Sequence, residues 1–253
     1  MRDQSPSGVQ AGMDRWWRAP PVDKRGLMTW VASYVIMTAI AIAVGLLIVH
    51  ELAGVRTFDD EVARWLQRRR TDTWDSVTWF GSIIADAYVK IPATLVLCGF
   101  FVWRWRRWTE PALLAGALVL EVGVFTTSSF VVDRRRPPIP HLDPIPPTGS
   151  FPSGHSAAAV AFYGAIAIIV CWHTRHLLAR ALAATVAMVV PLFVAVSRTY
   201  RGMHHVSDVV VGLVIGIASL VITWLVVRSG PAARMDAITS DEQPSTTVLA
   251  SAR

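Results

Sequence analysis

Polar residues in this chain gather at the ends of long uncharged stretches, and the spacing of those stretches predicts the architecture. Residues 27–49 contain no charged side chain, and about 20 apolar residues carry a helix across the hydrocarbon core of a bilayer. Further apolar runs at 89–102, 111–132, 155–172, 181–196 and 206–227 complete six predicted spans. The second run is short and interrupted by Lys90 and Pro92, so it reaches spanning length only if residues 79–88 supply its first turns. Pro191 in the fifth run is expected to kink a membrane helix without ending it. Between the first two spans, Phe58, Val62, Trp65 and Leu66 recur at helical spacing against Asp59, Asp60, Glu61 and the arginines at 68, 69 and 70. That pattern predicts an amphipathic helix on the membrane surface, either a wall over a site or a plain connector. The predicted fold is therefore all-α, a polytopic six-transmembrane-helix bundle.

Composition fits this plan. Of 253 residues, 53% are hydrophobic, 17% are charged and eleven are Trp, which excludes an ordinary soluble domain. The net charge of +6 does not point to nucleic acid, because the basic residues cluster at the ends of apolar spans. The alternating Trp and Arg at 103–108 read as an interfacial belt. Cys98 and Cys171 lie within apolar runs, where a thiol acts as a small hydrophobe, so neither a disulfide nor a metal site is indicated. Residues 1–26 hold five basic residues, Trp16, Trp17 and the Pro20-Pro21 pair, and read as a flexible cytoplasmic arm rather than a cleavable signal. The domain plan is that arm, a membrane domain over 27–228, and a polar, disordered tail over 229–253.

Six crossings place the ends of spans one, three and five on one face. Three polar constellations meet there: Arg134-Arg135-Arg136-Pro137, Pro152-Ser153-Gly154-His155, and Ser197-Arg198 with His204 and Asp208. The basic arm and the turns near 104–107 and 175–180 lie on the other side, which makes the shared face extracytoplasmic. Singly, each constellation has an ordinary reading: a headgroup anchor, the punctuation of a helix start, an interfacial loop with a capping Asp. Together they supply the parts of phosphoryl transfer to an enzyme nucleophile. Arg136 and Arg198 would neutralise phosphate oxygens, and the Ser153 and Gly154 amides at a helix start would complete the cradle. If the last helix starts near His204, Asp208 lies one turn on and its carboxylate can hold the imidazole. His204 would then attack phosphorus, and His155 would protonate the leaving oxygen and later activate water. Glu121, inside the third span, is expected to face protein or water as a packing or polar-network residue, with proton supply as the alternative role.

These motifs resemble those of the type 2 phosphatidic acid phosphatases, relatives of bacterial acid phosphatases and vanadium haloperoxidases. The tripartite signature of that family is Lys-x6-Arg-Pro, Pro-Ser-Gly-His and Ser-Arg-x5-His-x3-Asp. The second part is matched by Pro152 to His155, and the third by Ser197, Arg198, His204 and Asp208. The first is matched at Arg136-Pro137 but not at its Lys, whose position falls on Ser129. Either Arg134 or Arg135 substitutes for that Lys from the other side of the loop, or the substrate needs one fewer positive charge; a catalytically dead relative is the remaining reading, set against the survival of His155, Arg198, His204 and Asp208. The resemblance covers about residues 79–227. It implies a six-helix membrane bundle in the plasma membrane, metal-independent and cofactor-free catalysis, a phosphohistidine on His204, and a lipid phosphate or diphosphate as substrate. Polyprenyl diphosphate, phosphatidate and phosphatidylglycerophosphate are all family substrates, and an outward site favours the polyprenyl carrier. The other readings are phosphate transfer to an alcohol acceptor, zinc held by His155, His204, His205 and Asp208, a vanadate-using oxidase, and a non-catalytic scaffold.

Overall fold

The structure, a computed structural model, describes residues 19–235. Eight helices follow one another: α1 (Lys24–His50), α2 (Ala53–Gln67), α3 (Asp72–Ile83), α4 (Ala87–Trp105), α5 (Thr109–Val132), α6 (Gly154–His173), α7 (Leu177–Tyr200) and α8 (Val206–Arg228). Six of them, all but α2 and α3, are long and apolar enough to cross a membrane. The chain is a multi-pass membrane protein of the all-α class.

Helix α6 lies at the centre, against α5, α7 and α8. Phe101, Leu113, Leu114, Phe162, Ala165 and Ile169 form one apolar core, and Ala41, Leu120, Val124, Ala157 and Ile215 form another nearer the polar face. Small residues set the α6–α8 spacing: a Cβ on Gly216 would come within 2.5 Å of the Ala157 carbonyl oxygen, the close approach typical of membrane helices, which lack a hydrophobic drive toward one another. Large apolar side chains such as Leu95, Val96, Leu182 and Val214 point outward, as lipid-facing positions should.

Several sequence expectations need correction. The second span is α4 alone, 19 residues long, because Asp86 caps its start by accepting from the Tyr88 amide at 2.9 Å. Of residues 79–88 only Ala87 and Tyr88 extend it, and residues 79–83 belong to the separate helix α3, whose start is capped by Thr71. The fifth span is longer than its apolar run and carries Ser197 and Arg198 in its last turn. Residues 231–235, assigned to a disordered tail, form a helical turn. The predicted arm over 1–18 and the tail beyond 235 lie outside the described residues.

Helix α2 is a wall of the polar face and not merely a connector. Arg56 Nη1 donates to the last carbonyls of α1, at Ile48 (3.0 Å) and Val49 (2.9 Å). Asp59 is fully buried against the start of α8, accepting from the Ser207 amide at 3.1 Å. Phe58 and Trp65, on the opposite side, stay exposed for the membrane interface.

Candidate active site

Helix α7 ends in a Schellman motif. Gly202 adopts φ +75°, the Met203 amide donates to the Arg198 carbonyl at 3.0 Å, and the Gly202 amide donates to Thr199 at 3.0 Å. Only Gly takes that left-handed position without strain, and the reversal delivers His204 into the polar face. His204 is buried, and its Nδ1 lies 2.6 Å from the Ser150 carbonyl oxygen. A carbonyl only accepts, so Nδ1 carries the ring proton and Nε2 keeps its lone pair. Burial, followed by the positive charges of Arg198 and Arg136 and the nearby His155, holds the imidazole well below its usual range, against the opposing Ser150 bond. His204 is therefore a neutral imidazole with an unprotonated nitrogen at neutral pH.

The structure corrects the expected role of Asp208. Helix α8 starts at Val206, not His204, so His204 and Asp208 do not share a helical face. Asp208 occupies the third helical position and reaches back to the His205 amide at 2.8 Å, an N-terminal capping contact. Its other partners are Ser150 Oγ at 2.8 Å and Arg134 Nη1 at 2.5 Å. Asp208 therefore acts on His204 only through Ser150. Arg134 is corrected with it. Its second nitrogen meets Asp59 Oδ2 at 2.8 Å and its first also meets Ser207 Oγ at 2.7 Å, so this buried guanidinium staples α2 to α8 and is not available to replace the Lys absent at Ser129. Arg135 is exposed.

The two other arginines are held differently from Arg134. Arg136 Nη1 donates to the Met203 carbonyl, and its Nη2 donates to Thr148 (3.2 Å) and Gly149 (3.3 Å). Its Nε is buried without a partner. Arg198 Nη1 is held by Ser82 Oγ and by Asp143 Oδ2 at 2.7 Å, and its Nε is likewise buried and unpartnered. Each guanidinium is thus fixed by its tip while its Nε edge stays open. Buried donors of this kind are costly unless an acceptor meets them, and a tetrahedral oxyanion accepts along such an edge.

His155 sits in the first turn of α6, capped by Ser153, whose Oγ accepts from the Ser156 amide at 3.4 Å. His155 Nε2 lies 3.7 Å from Asp86 Oδ2, an ion-pair distance beyond hydrogen-bond range. The ring is the main influence holding the Asp86 carboxyl at about 2; partial burial opposes it, and the Tyr88 amide assists. Asp86 thus places a negative charge beside the imidazole. The proposed amide cradle is half corrected: the Ser153 amide already donates to the Asp208 carbonyl at 3.0 Å, which leaves Gly154 in the free-donor first turn. Gly154 also leaves no room for a side chain, since a Cβ would stand 3.0 Å from the Phe125 ring.

Sequence reasoning passed over Ser82, Asp86, Asp143 and Ser150. Asp143 binds Arg198 and also Arg201, whose Nε it meets at 2.8 Å. Burial raises its carboxyl, but the Arg201 bond, the Arg198 charge and the Ser82 bond outweigh this and leave it lowered. An acid between the second apolar run and α3 was a legible signal for Asp86. Ser150 acts through its carbonyl, which leaves no trace in side-chain patterns. The alternative zinc set does not assemble: His205 turns to Asp60 (3.5 Å) and Asp208 (3.2 Å), and the described residues contain no group of three or more His, Cys, Asp or Glu arranged to hold a metal ion.

The chain is similar to several known proteins. Phosphatidylglycerophosphatase B of Bacillus subtilis (strain 168) is 36% identical over 72 residues, 27% of this chain and 34% of that relative, so the match spans about a third of its length. The solved structure of a transmembrane PAP2 type phosphatidylglycerolphosphate phosphatase from Bacillus subtilis superimposes with a TM-score of 0.66 at 19% identity, covering 85% of this chain and 98% of that one, and shares the fold. Aquifex aeolicus LpxE superimposes with a TM-score of 0.49 at 25% identity over 64% of this chain and 92% of that one. The sequence profile of the PAP2 superfamily matches residues 110–230, just under half of the chain and a stretch that contains all three constellations, so this part of the chain is similar to the PAP2 superfamily.

Proposed function

We propose that this chain is an integral membrane lipid phosphatase that removes phosphate from a lipid phosphate or diphosphate through a phosphohistidine, without a metal. The observation that carries the reading is His204: a buried imidazole with Nδ1 committed to the Ser150 carbonyl at 2.6 Å, set beside two arginines whose Nε donors are unpartnered. Its Nε2 lone pair attacks phosphorus in line with the lipid oxygen. Arg136 and Arg198 take the charge that gathers on the phosphoryl oxygens, as fixed donors do for a phosphoryl transition state. The P–O bond to the lipid breaks, and His155, beside Asp86, acts as the general acid that gives a proton to the departing oxygen. The neutral His155 then takes a proton from water, which attacks the phosphohistidine, releases inorganic phosphate and restores both rings.

The membrane setting supports a lipid substrate, since a site at the ends of transmembrane helices meets headgroups that stay in the bilayer. The names of the relatives point to phosphatidylglycerophosphate, and the motif resemblance adds phosphatidate and undecaprenyl or other polyprenyl diphosphates as candidates. The catalytic unit in this reading is residues 27–228, and the basic turns at the opposite ends of the spans support a site on the extracytoplasmic face of the plasma membrane. The test is phosphate release by purified protein in detergent from a panel of these lipids, with and without EDTA. Release from at least one lipid, undiminished by EDTA, is expected; no release from any would overturn the reading.

A further inference from the structure

The family signature places a Lys at position 129, where this chain has a buried Ser, and both neighbouring candidates are unsuited: Arg134 is saturated by two carboxylates and Arg135 is exposed. Another cation is available. Lys90, in the first turn of α4, is 4% exposed, and its Nζ is buried without a hydrogen-bond partner. A lone ammonium inside protein is costly unless it meets negative charge.

Its position follows from its neighbours. Asp86, one turn earlier on the same helix, is the residue 3.7 Å from His155. Beneath them Ala85 packs against Ala159, one turn after His155 on α6. On α5, Phe125 lies against Gly154, and Glu121, one turn earlier, is fully buried with both carboxylate oxygens unpartnered. Lys90 therefore sits in the wedge between α4, α5 and the first turn of α6. Its charge acts on Asp86 and Glu121, and also on His155.

We propose that Lys90 supplies the positive charge missing at position 129, taking an oxygen of the bound phosphate on its His155 side, while Glu121 balances the ammonium when the site is empty. The inference rests on the phosphatase reading above. Delivering the charge from α4 explains how the first constellation tolerates Ser129, and it gives a role to two ionisable groups that a membrane helix would otherwise exclude.

Glu121→Gln and the double variant Lys90→Met/Glu121→Gln, which leaves no unpaired buried charge, are compared with the wild type as full-length proteins in detergent. Orthovanadate inhibition and phosphatidate hydrolysis are the readouts. Relative to Glu121→Gln, the double variant should raise the vanadate inhibition constant and KM about tenfold, the scale of one lost charge-assisted contact, with a thermal midpoint no lower than that of Glu121→Gln. Lys90→Arg/Glu121→Gln should recover part of the loss. If the double variant matches Glu121→Gln in both constants, or only its thermal midpoint falls, Lys90 is structural and the proposal is wrong. If the wild type neither hydrolyses a lipid phosphate nor responds to vanadate, the phosphatase reading falls and this inference with it.

Discussion

Replacing Asp208 by Asn separates two accounts of the same residue. If its carboxylate orients the nucleophilic imidazole, the change puts His204 in the wrong tautomer, a defect worth about 10⁴ in kcat where a carboxylate plays that part. In this structure the Ser150 carbonyl holds His204 Nδ1 at 2.6 Å, and Asp208 instead faces Arg134 at 2.5 Å and Ser150 Oγ at 2.8 Å. Asn keeps one acceptor for the His205 amide and Ser150 but removes the charge opposite Arg134. A hydrogen bond to a charged group contributes about 1.5–3 kcal/mol, and Asp59 still neutralises Arg134, so the loss should fall in that range and not in the larger one for an orphaned buried charge. For a chain of this length each kcal/mol moves the thermal midpoint by about 2–4 °C, so a fall of roughly 3–12 °C is expected. Because the tautomer survives, kcat should drop no more than about 100-fold, through loosening of Ser150. Thermal unfolding in detergent and steady-state phosphate release give the two numbers. A loss of about 10⁴ in kcat with an unchanged midpoint would refute this assignment and restore Asp208 as the orienting group.

Asp143→Asn removes the charge that fixes the tips of Arg198 and Arg201, so KM for lipid phosphate should rise several-fold, roughly 1 kcal/mol of lost positioning; an unchanged KM would contradict the clamp. Arg135→Ala should leave KM and kcat within about twofold, as expected of an exposed side chain, and a tenfold rise in KM in the same assay would show that it does bind phosphate. The pH dependence has a definite sign. His204 is held well below its free value of 6.5, chiefly by burial and by Arg198, so on acidification through that value the unfolded chain binds a proton that the folded chain does not. Its contribution to stability is therefore complete above about pH 6.5 and is lost as pH falls toward the folded value. Chemical unfolding at a series of pH values checks this, with the slope becoming shallower in His204→Gln.

The six spans were legible because a bilayer demands long uncharged runs, and the three constellations because no such run accommodates them. Arg136, Arg198, His155 and His204 do converge on one face. What escaped was set by backbone geometry. The pairing of His204 with Asp208 assumed a helix starting two residues too early; the Schellman turn at Gly202 and the cap at His205 displace it. Arg134 looks like an anion ligand in sequence, yet the buried Asp59, thought to belong to a surface helix, claims it. Ser150 contributes a carbonyl, a group every residue carries. Asp143 lies in a proline-rich loop with no periodicity to indicate which way it points.

The central claim is that His204 Nε2 accepts the phosphoryl group, and trapping the intermediate tests it most directly. Purified protein mixed with a lipid substrate labelled on its phosphate and quenched with alkali within one turnover should carry label on protein. That label should be acid-labile, map to His204 and be absent from His204→Gln, and it should accumulate when His155→Gln slows the attack of water. A wild type that turns over substrate without labelling, or a His204→Gln protein that still carries label or still releases phosphate at the wild-type rate, would contradict the account.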